Sequence, residues 1–260
     1  GFGNILGPIS LQQKSLAALP SAVGLRTGSA YEITDYGGNI ATAVNGVWRF
    51  EFPFRTTWAG RPAVGLVPAG TELQVTDYGN HKWISDGANW SPAQGVVVLY
   101  DRFGLNDGTG YIARISGATS GTFAIPGGIK IPAGMIRNGT KISVQVELTK
   151  VGGNGTASAT VTLGALNSAS DSSVSGQTIS IGAGMQALMS CAARFGASTT
   201  KFNTRNNVGE GVSQASVANV MQDRTNNIDT AADMWVNVNI NSANAGDVFN
   251  LIGIQVKLEA

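Results

Sequence analysis

The sequence has very little of several things that many functional sites require. It has one histidine (His81) and one cysteine (Cys191) in 260 residues, which excludes zinc sites built from several imidazoles or thiolates and disulfides within the chain. Charged residues make up 13%, and 17 Lys and Arg against 16 Asp and Glu give a net charge of +1. That balance argues against a nucleic-acid partner, since such proteins usually carry a basic surplus. No apolar run reaches the ~18–20 residues of a membrane span, so no membrane insertion is expected.

Glycine and apolar residues are abundant instead. The chain has 35 Gly and 43% hydrophobic residues, which with a net charge near zero indicates a folded, β-rich protein rather than a disordered one. Aromatic residues divide unevenly: residues 1–117 hold four Trp, five Tyr and five Phe, whereas the rest holds one Trp, no Tyr and four Phe. We therefore predict a connecting segment at 1–19, a first module at 20–117 and a second module at 118–260.

The first module contains an internal repeat. Residues 28–37 (GSAYEITDYG) and 70–79 (GTELQVTDYG) align with an offset of 42 residues. The match extends outward, so residues 20–54 and 62–95 form two copies of one unit. Alternating apolar and polar residues before each Asp-Tyr-Gly turn predict short, half-buried strands.

Two kinds of side chain recur in the copies. Asp35 and Asp77 are expected to accept hydrogen bonds from nearby backbone N–H groups in their turns. Trp48, Trp83 and Trp90 are expected to form the small cores of the two units, with stacking on a sugar as the alternative role.

The second module consists of several short strands separated by turns. Ile142, Val144, Val146 and Leu148 alternate with polar residues, and residues 235–241 alternate apolar side chains with asparagine. Such a pattern over about 140 residues predicts a β-sandwich or jelly roll. The expected fold is all-β: two tandem small β-repeat units followed by a jelly-roll-like β-sandwich.

Motifs in the second module resemble a family of viral domains. Residues 131–134 (IPAG) are followed by a strand, a Gly-rich hairpin at 152–156 and a further strand, and the chain closes with the apolar-rich segment 248–259. This order resembles the C-terminal β-sandwich heads of tailed-bacteriophage tail fibres and tailspikes, and the repeat is similar to small β modules upstream of such heads. The resemblance implies a homotrimer at the tip of a virion tail fibre or tailspike. It also implies contact with other virion tail proteins and attachment to a bacterial surface polysaccharide or outer-membrane component.

Two parts of the chain are candidate ligand surfaces. Trp58 lies between the two copies, beside Arg55 and Arg61, and is the aromatic residue expected to be exposed; packing between subunits is its alternative role. The polar stretch 199–207 offers amide and guanidinium groups that hydrogen-bond hydroxyls, together with one aromatic ring. Its candidate residues are Lys201, Phe202, Asn203, Arg205, Asn206 and Asn207. An exposed connection without a ligand is the alternative, because loops are polar in either case.

The oxygen-rich segment around residues 223–233 is a weak candidate for a metal site. Asp223, Asn226 and Asp229 could hold Ca²⁺, but their spacing does not match an EF-hand loop, and a solvated loop is the alternative. Cys191 is expected to be a small buried hydrophobic residue. No cofactor is expected.

No catalytic residue is assigned, because the sequence contains no Gly-x-Ser-x-Gly elbow, Walker A loop or His-Glu-x-x-His motif. We therefore expect a non-enzymatic receptor-binding tip. A trimer suits the repeats physically, since a two-copy unit of this size buries little alone and three chains would cover its aromatic faces and edges. A glycan-degrading tailspike fragment and a purely structural virion fibre or decoration protein remain as alternatives.

Overall fold

The computed structural model describes residues 11–93, 95–104, 110–152, 157–174, 179–181, 186–196, 202–208, 223–224 and 227–259. Within these residues the protein is nearly all β, which confirms the predicted class. Its helical segments there are short 3-10 turns at Leu16–Ala18, Thr34–Tyr36 and Val64–Leu66. None of the helices in this part of the chain has the length and hydropathy needed to cross a membrane. The chain divides into two compact units between Gly95 and Val96.

The first unit contains two four-stranded sheets that follow one another along the chain. The first sheet has the order β1 (Gln12–Lys14), β2 (Ala30–Ile33), β3 (Asn39–Val44), β4 (Val47–Phe50). The second has the order β5 (Phe54–Thr56), β6 (Glu72–Val75), β7 (His81–Ser85), β8 (Trp90–Pro92). In both sheets the first two strands are parallel and the later neighbours are antiparallel. The repeat in the sequence is therefore a repeat of the backbone topology.

One hydrogen bond in each copy joins the turn to the preceding strand. Both carboxylate oxygens of Asp35 accept the backbone N–H of Leu16, at 3.0 and 3.2 Å, and Asp77 accepts that of Trp58 at 2.9 Å. The two donors are again 42 residues apart. The sequence predicts that these aspartates accept backbone N–H groups, but the donors lie 19 residues upstream rather than within the turn. The repeating unit therefore begins before Pro20 and includes the parallel first strand.

A second repeated bond closes each copy around an indole ring. The Nε1 of Trp48 donates to the carbonyl oxygen of Pro20 at 3.0 Å, and the Nε1 of Trp90 donates to that of Pro62 at 2.9 Å. Each bond spans 28 residues. Because both tryptophans are buried, the bond satisfies a donor that has left water.

The second unit contains two larger antiparallel sheets. Within the described residues, one sheet consists of β9 (Val96–Phe103), β10 (Ala113–Ser116), β13 (Lys141–Val151), β17 (Gln186–Phe195), β18 (Phe202–Val208), β19 (Asp223–Arg224) and β21 (Val248–Glu259). The other consists of β11 (Ser120–Thr122), β12 (Lys130–Ile131), β14 (Ala157–Gly164), β15 (Ser172–Ser173), β16 (Ile179–Ile181) and β20 (Met234–Ser242). The first sheet has the order β10-β21-β13-β17-β18-β19, with β9 also beside β21. The second has the order β11-β20-β14-β15, with β12 beside β20 and β16 beside β14.

The division between the units lies upstream of residue 117, where the aromatic composition changes. β9 pairs with residues 253–259 of β21, and β10 pairs with residues 248–251 of the same strand. Residues 96–117 therefore belong to a sheet whose other strands come from much later in the chain. The aromatic composition of residues 96–117 does not reveal this pairing, because the partner strand lies far away in the sequence.

Alternate residues of the long strands form the core of the second unit. In β13, the side chains of Ile142, Val144, Val146 and Leu148 are fully buried, and the residues between them are partly exposed. This confirms the predicted alternation. A two-residue period gives the strand one apolar and one polar face, so the polar face of β13 points away from the core.

The six-stranded sheet differs from the prediction in one respect. The apolar residues of β20 are buried as expected, but Asn237 and Asn239 on the opposite face are buried too. Asn239 donates to the hydroxyl of Thr162 at 3.0 Å and accepts from the hydroxyl of Thr122 at 2.6 Å. These bonds offset the loss of water around the amide. The outer face of this sheet is therefore partly covered.

Candidate ligand-binding surface

Trp58 is buried, contrary to the exposure that the sequence suggests. Its side chain is 3% exposed, its ring lies 4.5 Å from that of Trp83, and the guanidinium of Arg61 sits 4.1 Å above it. Arg61 also donates to the Trp58 carbonyl oxygen at 2.6 Å. Partial burial lowers the pKa of Arg61. The ring is held in the core by the bond from its own backbone to Asp77, and in the single chain both of its faces are occupied.

The other repeated aromatic residues form cores, as the sequence predicts. Trp48, Trp83 and Trp90 are 9%, 0% and 4% exposed. Between the copies, Phe54 is fully buried and meets Tyr36 and Phe50 edge to face, with centroids 4.9 and 4.7 Å away. These rings stabilise the repeat and leave little aromatic surface for a ligand.

Two shallow depressions in the first unit are lined by residues from both copies. The first, of about 300 Å³, is lined by residues 48–53 and 68–72, and the second, of about 370 Å³, by residues 16–22, 46–48 and 65–68. Exposed apolar side chains lie along them, with Phe52 57%, Leu66 44% and Val47 42% exposed. Both depressions combine polar and apolar surface, so neither is assigned a ligand.

Most of the predicted polar stretch lies on a strand and not on a connection. Phe202, Asn203, Arg205, Asn206 and Asn207 belong to β18, while Lys201 lies outside the described residues. β18 pairs with β17 along its whole length. The backbone therefore places this stretch in the seven-stranded sheet.

Of the three predicted calcium residues, the structure describes the side chain of Asp229. Asp229 accepts the backbone N–H of Ala231 at 2.9 Å and so caps a turn. Asp223 lies on β19, where its backbone pairs with Asn203, and Asn226 lies outside the described residues. Among the described residues, no group of three or more His, Cys, Asp or Glu could hold a metal ion.

The neighbouring Asp233 has a structural role in the IPAG turn. Its carboxylate accepts the backbone N–H of Ala133 at 3.0 Å and pairs with the Nζ of Lys130 at 2.5 Å. The hydrogen bond from Lys130, followed by that from Ala133, lowers the pKa of Asp233. Gly134, with a φ of 77°, donates its N–H to the carbonyl oxygen of Thr230 at 3.1 Å. The oxygen-rich segment thus anchors the turn that precedes β13.

A cysteine and an ion pair are also buried in the second unit. Cys191 is buried, as the sequence predicts, and burial raises the pKa of its thiol to about 12. Lys150 and Asp247 form an ion pair of 3.0 Å with both side chains fully covered, and Asp247 also accepts from the hydroxyl of Ser242 at 2.5 Å. The hydrogen bond from Ser242, followed by the one from Lys150, lowers the pKa of Asp247.

The outward face of the seven-stranded sheet presents polar side chains in rows that cross the strands. One row consists of Asp101 (β9), Gln255 (β21), Gln145 (β13) and Ser190 (β17). The next consists of Phe103, Gly253, Glu147 and Leu188 on the same four strands. We call Asp101, Phe103, Gln145, Glu147 and Gln255 the outer-face cluster. In the backbone register, Ser190 pairs in turn with Asn207 of β18.

Hydrogen bonds orient three polar side chains of the outer-face cluster, those of Asp101, Gln255 and Glu147. The amide Nε2 of Gln255 donates to the carboxylate of Asp101 at 3.0 Å, and the amide of Gln186 donates to Glu147 at 3.0 Å. Each bond uses one oxygen of its carboxylate, so the other oxygen keeps lone pairs that can accept further donors. The cluster is therefore ordered, polar and accessible.

An aromatic ring lies directly on the backbone at the centre of the outer-face cluster. A Cβ added to Gly253 would lie 2.5 Å from Cδ1 of Phe103 and 3.0 Å from Oε2 of Glu147. Phe103 is nevertheless 58% exposed. Glycine at position 253 thus lets the ring approach the backbone closely while more than half of the side chain remains open to solvent.

The cluster could not be assembled from the sequence, because its residues come from three distant segments. Only the alternation of Gln145 and Glu147 with buried residues of β13 signals an outward polar face. Phe103 carries no local signal, since its place depends on pairing with β21.

No protein family matches this sequence, and no curated protein matches it either. Among the solved structures that match the chain, two illustrate how weak the similarity is. The infectious bursal disease virus VP2 subviral particle is 14% identical, with a TM-score of 0.25, over 65% of this chain and 34% of that chain. The infectious bursal disease virus Gx strain structure is 14% identical, with a TM-score of 0.20, over 65% of this chain and 42% of that chain. The chain thus spans less than half of either protein, and we draw no functional conclusion from these similarities.

Proposed function

We propose that the second unit is a jelly-roll sandwich. Its strands can be lettered B to I in chain order, with β9 and β10 as B, β11 and β12 as C, β13 as D, β14 as E, β15 and β16 as F, β17 as G, β20 as H and β21 as I. The sheets then have the orders B-I-D-G and C-H-E-F, which is the arrangement of two interlocked Greek keys in a jelly roll. β18 and β19 extend the first sheet beyond strand G.

We further propose that the protein is the receptor-binding region of a virion attachment protein, of the tail-fibre or tailspike kind. In this proposal the repeats connect the second unit to other virion tail proteins, and the second unit binds a bacterial surface polysaccharide or outer-membrane component without cleaving it. The observation that carries the proposal is the ordered polar face with an exposed aromatic ring on the seven-stranded sheet. Such a face suits recognition of a hydroxyl-rich surface.

The proposed assembly is a homotrimer. The first unit leaves Val23 77%, Phe52 57%, Leu66 44% and Val47 42% exposed, and contact with further copies would remove this apolar surface from water. Three copies would also add avidity to weak individual contacts. Light scattering at micromolar concentration should give three times the chain mass, and a monomer would contradict the assembly.

Binding of the labelled full chain to bacteria tests the proposed function. The chain should bind cells of a susceptible strain, and also their purified capsule, lipopolysaccharide or outer-membrane fraction. Periodate treatment of the cells separates a glycan receptor from a protein receptor, because it oxidises vicinal diols of sugars. Failure to bind cells of any strain in a broad panel would overturn the proposal. Shortened or deacetylated glycan after incubation would instead support the degrading alternative.

A further inference from the structure

We propose that the outer-face cluster is a binding site for a neutral oligosaccharide that lies across strands β9, β21 and β13. This inference rests on the proposed function and specifies its site. It also moves the expected contact from Trp58, which is buried, to a part of the chain that the sequence does not single out.

The ring of Phe103 supplies the apolar contact. Its Cδ1 and Cε1 atoms lie against Gly253 and 58% of its side chain is exposed, so the ring is held at the sheet and still offers free surface. A pyranose has one face dominated by C–H bonds, and such a face packs against an aromatic ring held in this way. A glycine beneath the ring is necessary, because any Cβ at position 253 would occupy the same space.

Polar groups surround the ring at the spacing of a sugar chain. Adjacent strands lie about 4.8 Å apart, so Asp101, Gln255 and Gln145 form a polar row about 10 Å long beside Phe103. Glu147 lies on the other side of Gly253 from the ring, and the carboxylates of Asp101 and Glu147 are already oriented by glutamine amides. Carboxylates accept hydrogen bonds from hydroxyls, and glutamine amides both donate and accept. This set matches the mixed donors and acceptors of a sugar without reorganisation.

Charge favours a neutral ligand. In the two rows that contain the cluster, the charged side chains on β9, β21, β13 and β17 are Asp101 and Glu147, and both are acidic. The next cation on this face of β21, Lys257, lies one row further from Phe103 than Gln255, and Lys141 beyond it is engaged by Glu259 at 2.8 Å. A uronic or sialic acid over Phe103 would place its carboxylate near two others. The ligand is therefore a neutral hexose polymer and not an acidic one.

A buried acceptor without a partner lies one row beyond Glu147 and Gly253. Asn250 pairs with Thr149 and Arg114 on the same outward face and is 7% exposed. Its amide nitrogen donates to the Thr149 hydroxyl at 3.4 Å, while its Oδ1 has no partner among the described residues. A hydroxyl or an ordered water extending from the cluster would satisfy this oxygen. The polar surface thus continues past Phe103 toward β10.

The test compares two substitutions of equally exposed apolar residues. Phe103→Ala removes the ring, and Leu166→Ala removes a side chain of the same unit that is also 58% exposed but lies outside the seven-stranded sheet. Full-length wild type and variants are applied to an array of neutral and acidic bacterial oligosaccharides. Affinities for any bound sugar are then measured by titration calorimetry. We expect Phe103→Ala to weaken binding by about tenfold or more and Leu166→Ala to leave it within about twofold.

A third variant tests the geometry and not only the ring. Gly253→Ala keeps Phe103 but displaces it from the sheet, so it should weaken binding as Phe103→Ala does. Thermal melting by circular dichroism confirms that each variant is folded, which is expected because Phe103 is largely exposed.

The outcomes separate the site from the function. If wild type binds a neutral sugar and Phe103→Ala binds equally well, the site is overturned and the proposed function stands. Binding confined to acidic sugars overturns the neutral ligand class. If wild type binds bacteria but no oligosaccharide, the glycan site is overturned while attachment through another receptor stands. If it binds neither, both proposals fail.

Discussion

The indole Nε1 of Trp90 donates a hydrogen bond to the carbonyl oxygen of Pro62 at 2.9 Å, and both residues are buried. Trp83, buried in the same sheet, has no partner for its Nε1 among the described residues. Replacing Trp90 by Phe therefore leaves a carbonyl oxygen unpaired, whereas the same change at Trp83 removes an unpaired donor. We expect W90F to lower the free energy of unfolding by about 1–2 kcal/mol more than W83F.

Urea unfolding followed by far-UV circular dichroism measures this difference, because it does not depend on tryptophan emission. W48F is the matched variant in the first copy, since Trp48 makes the same bond to Pro20 at 3.0 Å. Its loss should resemble that of W90F. Equal losses for W83F and W90F would show that the indole bond contributes nothing.

The carboxylate of Asp77 is expected to hold β5 in place through the backbone N–H of Trp58, at 2.9 Å. D77A should lower the free energy of unfolding by about 1–3 kcal/mol, because the bond to a charged acceptor is lost. D77N should cost less, since the amide oxygen still accepts. The control is E51A, which removes an exposed carboxylate and should change stability by no more than about 0.5 kcal/mol. A loss in D77A no larger than in E51A would refute the role.

Gly164 leaves room for the carboxylate that organises the turn after β14. A Cβ at this position would lie 2.5 Å from Oδ1 of Asp171, and that carboxylate accepts the N–H groups of Leu166 and Ser168 at 3.1 Å each. We expect G164A to cost about 1–3 kcal/mol of unfolding free energy through overpacking. G196A is the matched control, because nothing lies within 4 Å of a Cβ there. Calorimetric melting of the two variants should separate them, and equal melting temperatures would contradict the prediction.

Acid should weaken the second unit through Asp247. Its pKa is lowered in the folded protein, first by the Ser242 hydroxyl and then by Lys150. A lowered carboxyl pKa adds stability that is complete above the unfolded value of about 3.9. This stability is lost as the pH falls through the folded value. S242A removes the leading cause, so the variant should lose less unfolding free energy than wild type as the pH falls, and the difference between the two proteins should narrow in acid. Urea titrations between pH 7 and pH 2.5 measure this, and parallel curves for the two proteins would contradict the assignment.

The features of the fold that follow from the sequence are those set by short windows of chain. The Asp-Tyr-Gly turns place Gly37 and Gly79 at φ values of 67° and 65°, as glycine in such turns predicts. Alternation along β13 likewise predicts its buried face. The pairing of β9 with β21 has no such local signature, so a division placed by composition falls inside the second unit.

The candidate site was less accessible to sequence reasoning, for two physical reasons. Trp58 lies between the copies in sequence, but its backbone bond to Asp77 draws it into the core of the second copy. Phe103 and Glu147 come close together because each is paired with Gly253 of β21, one from either side. A site assembled across strands depends on register, which cannot be read from one segment alone.

The contact between the two copies bears on how such a protein can vary. Phe54 opens the second copy and fits between Tyr36 and Phe50 of the first. Each copy also closes its own hydrogen bonds at the same offset of 42 residues. The joint itself is not repeated, because the counterpart of Phe54 at this offset is Gln12 and that of Phe50 is Pro92. A duplicated copy would therefore keep its internal hydrogen bonds but would need new aromatic residues to join its neighbour.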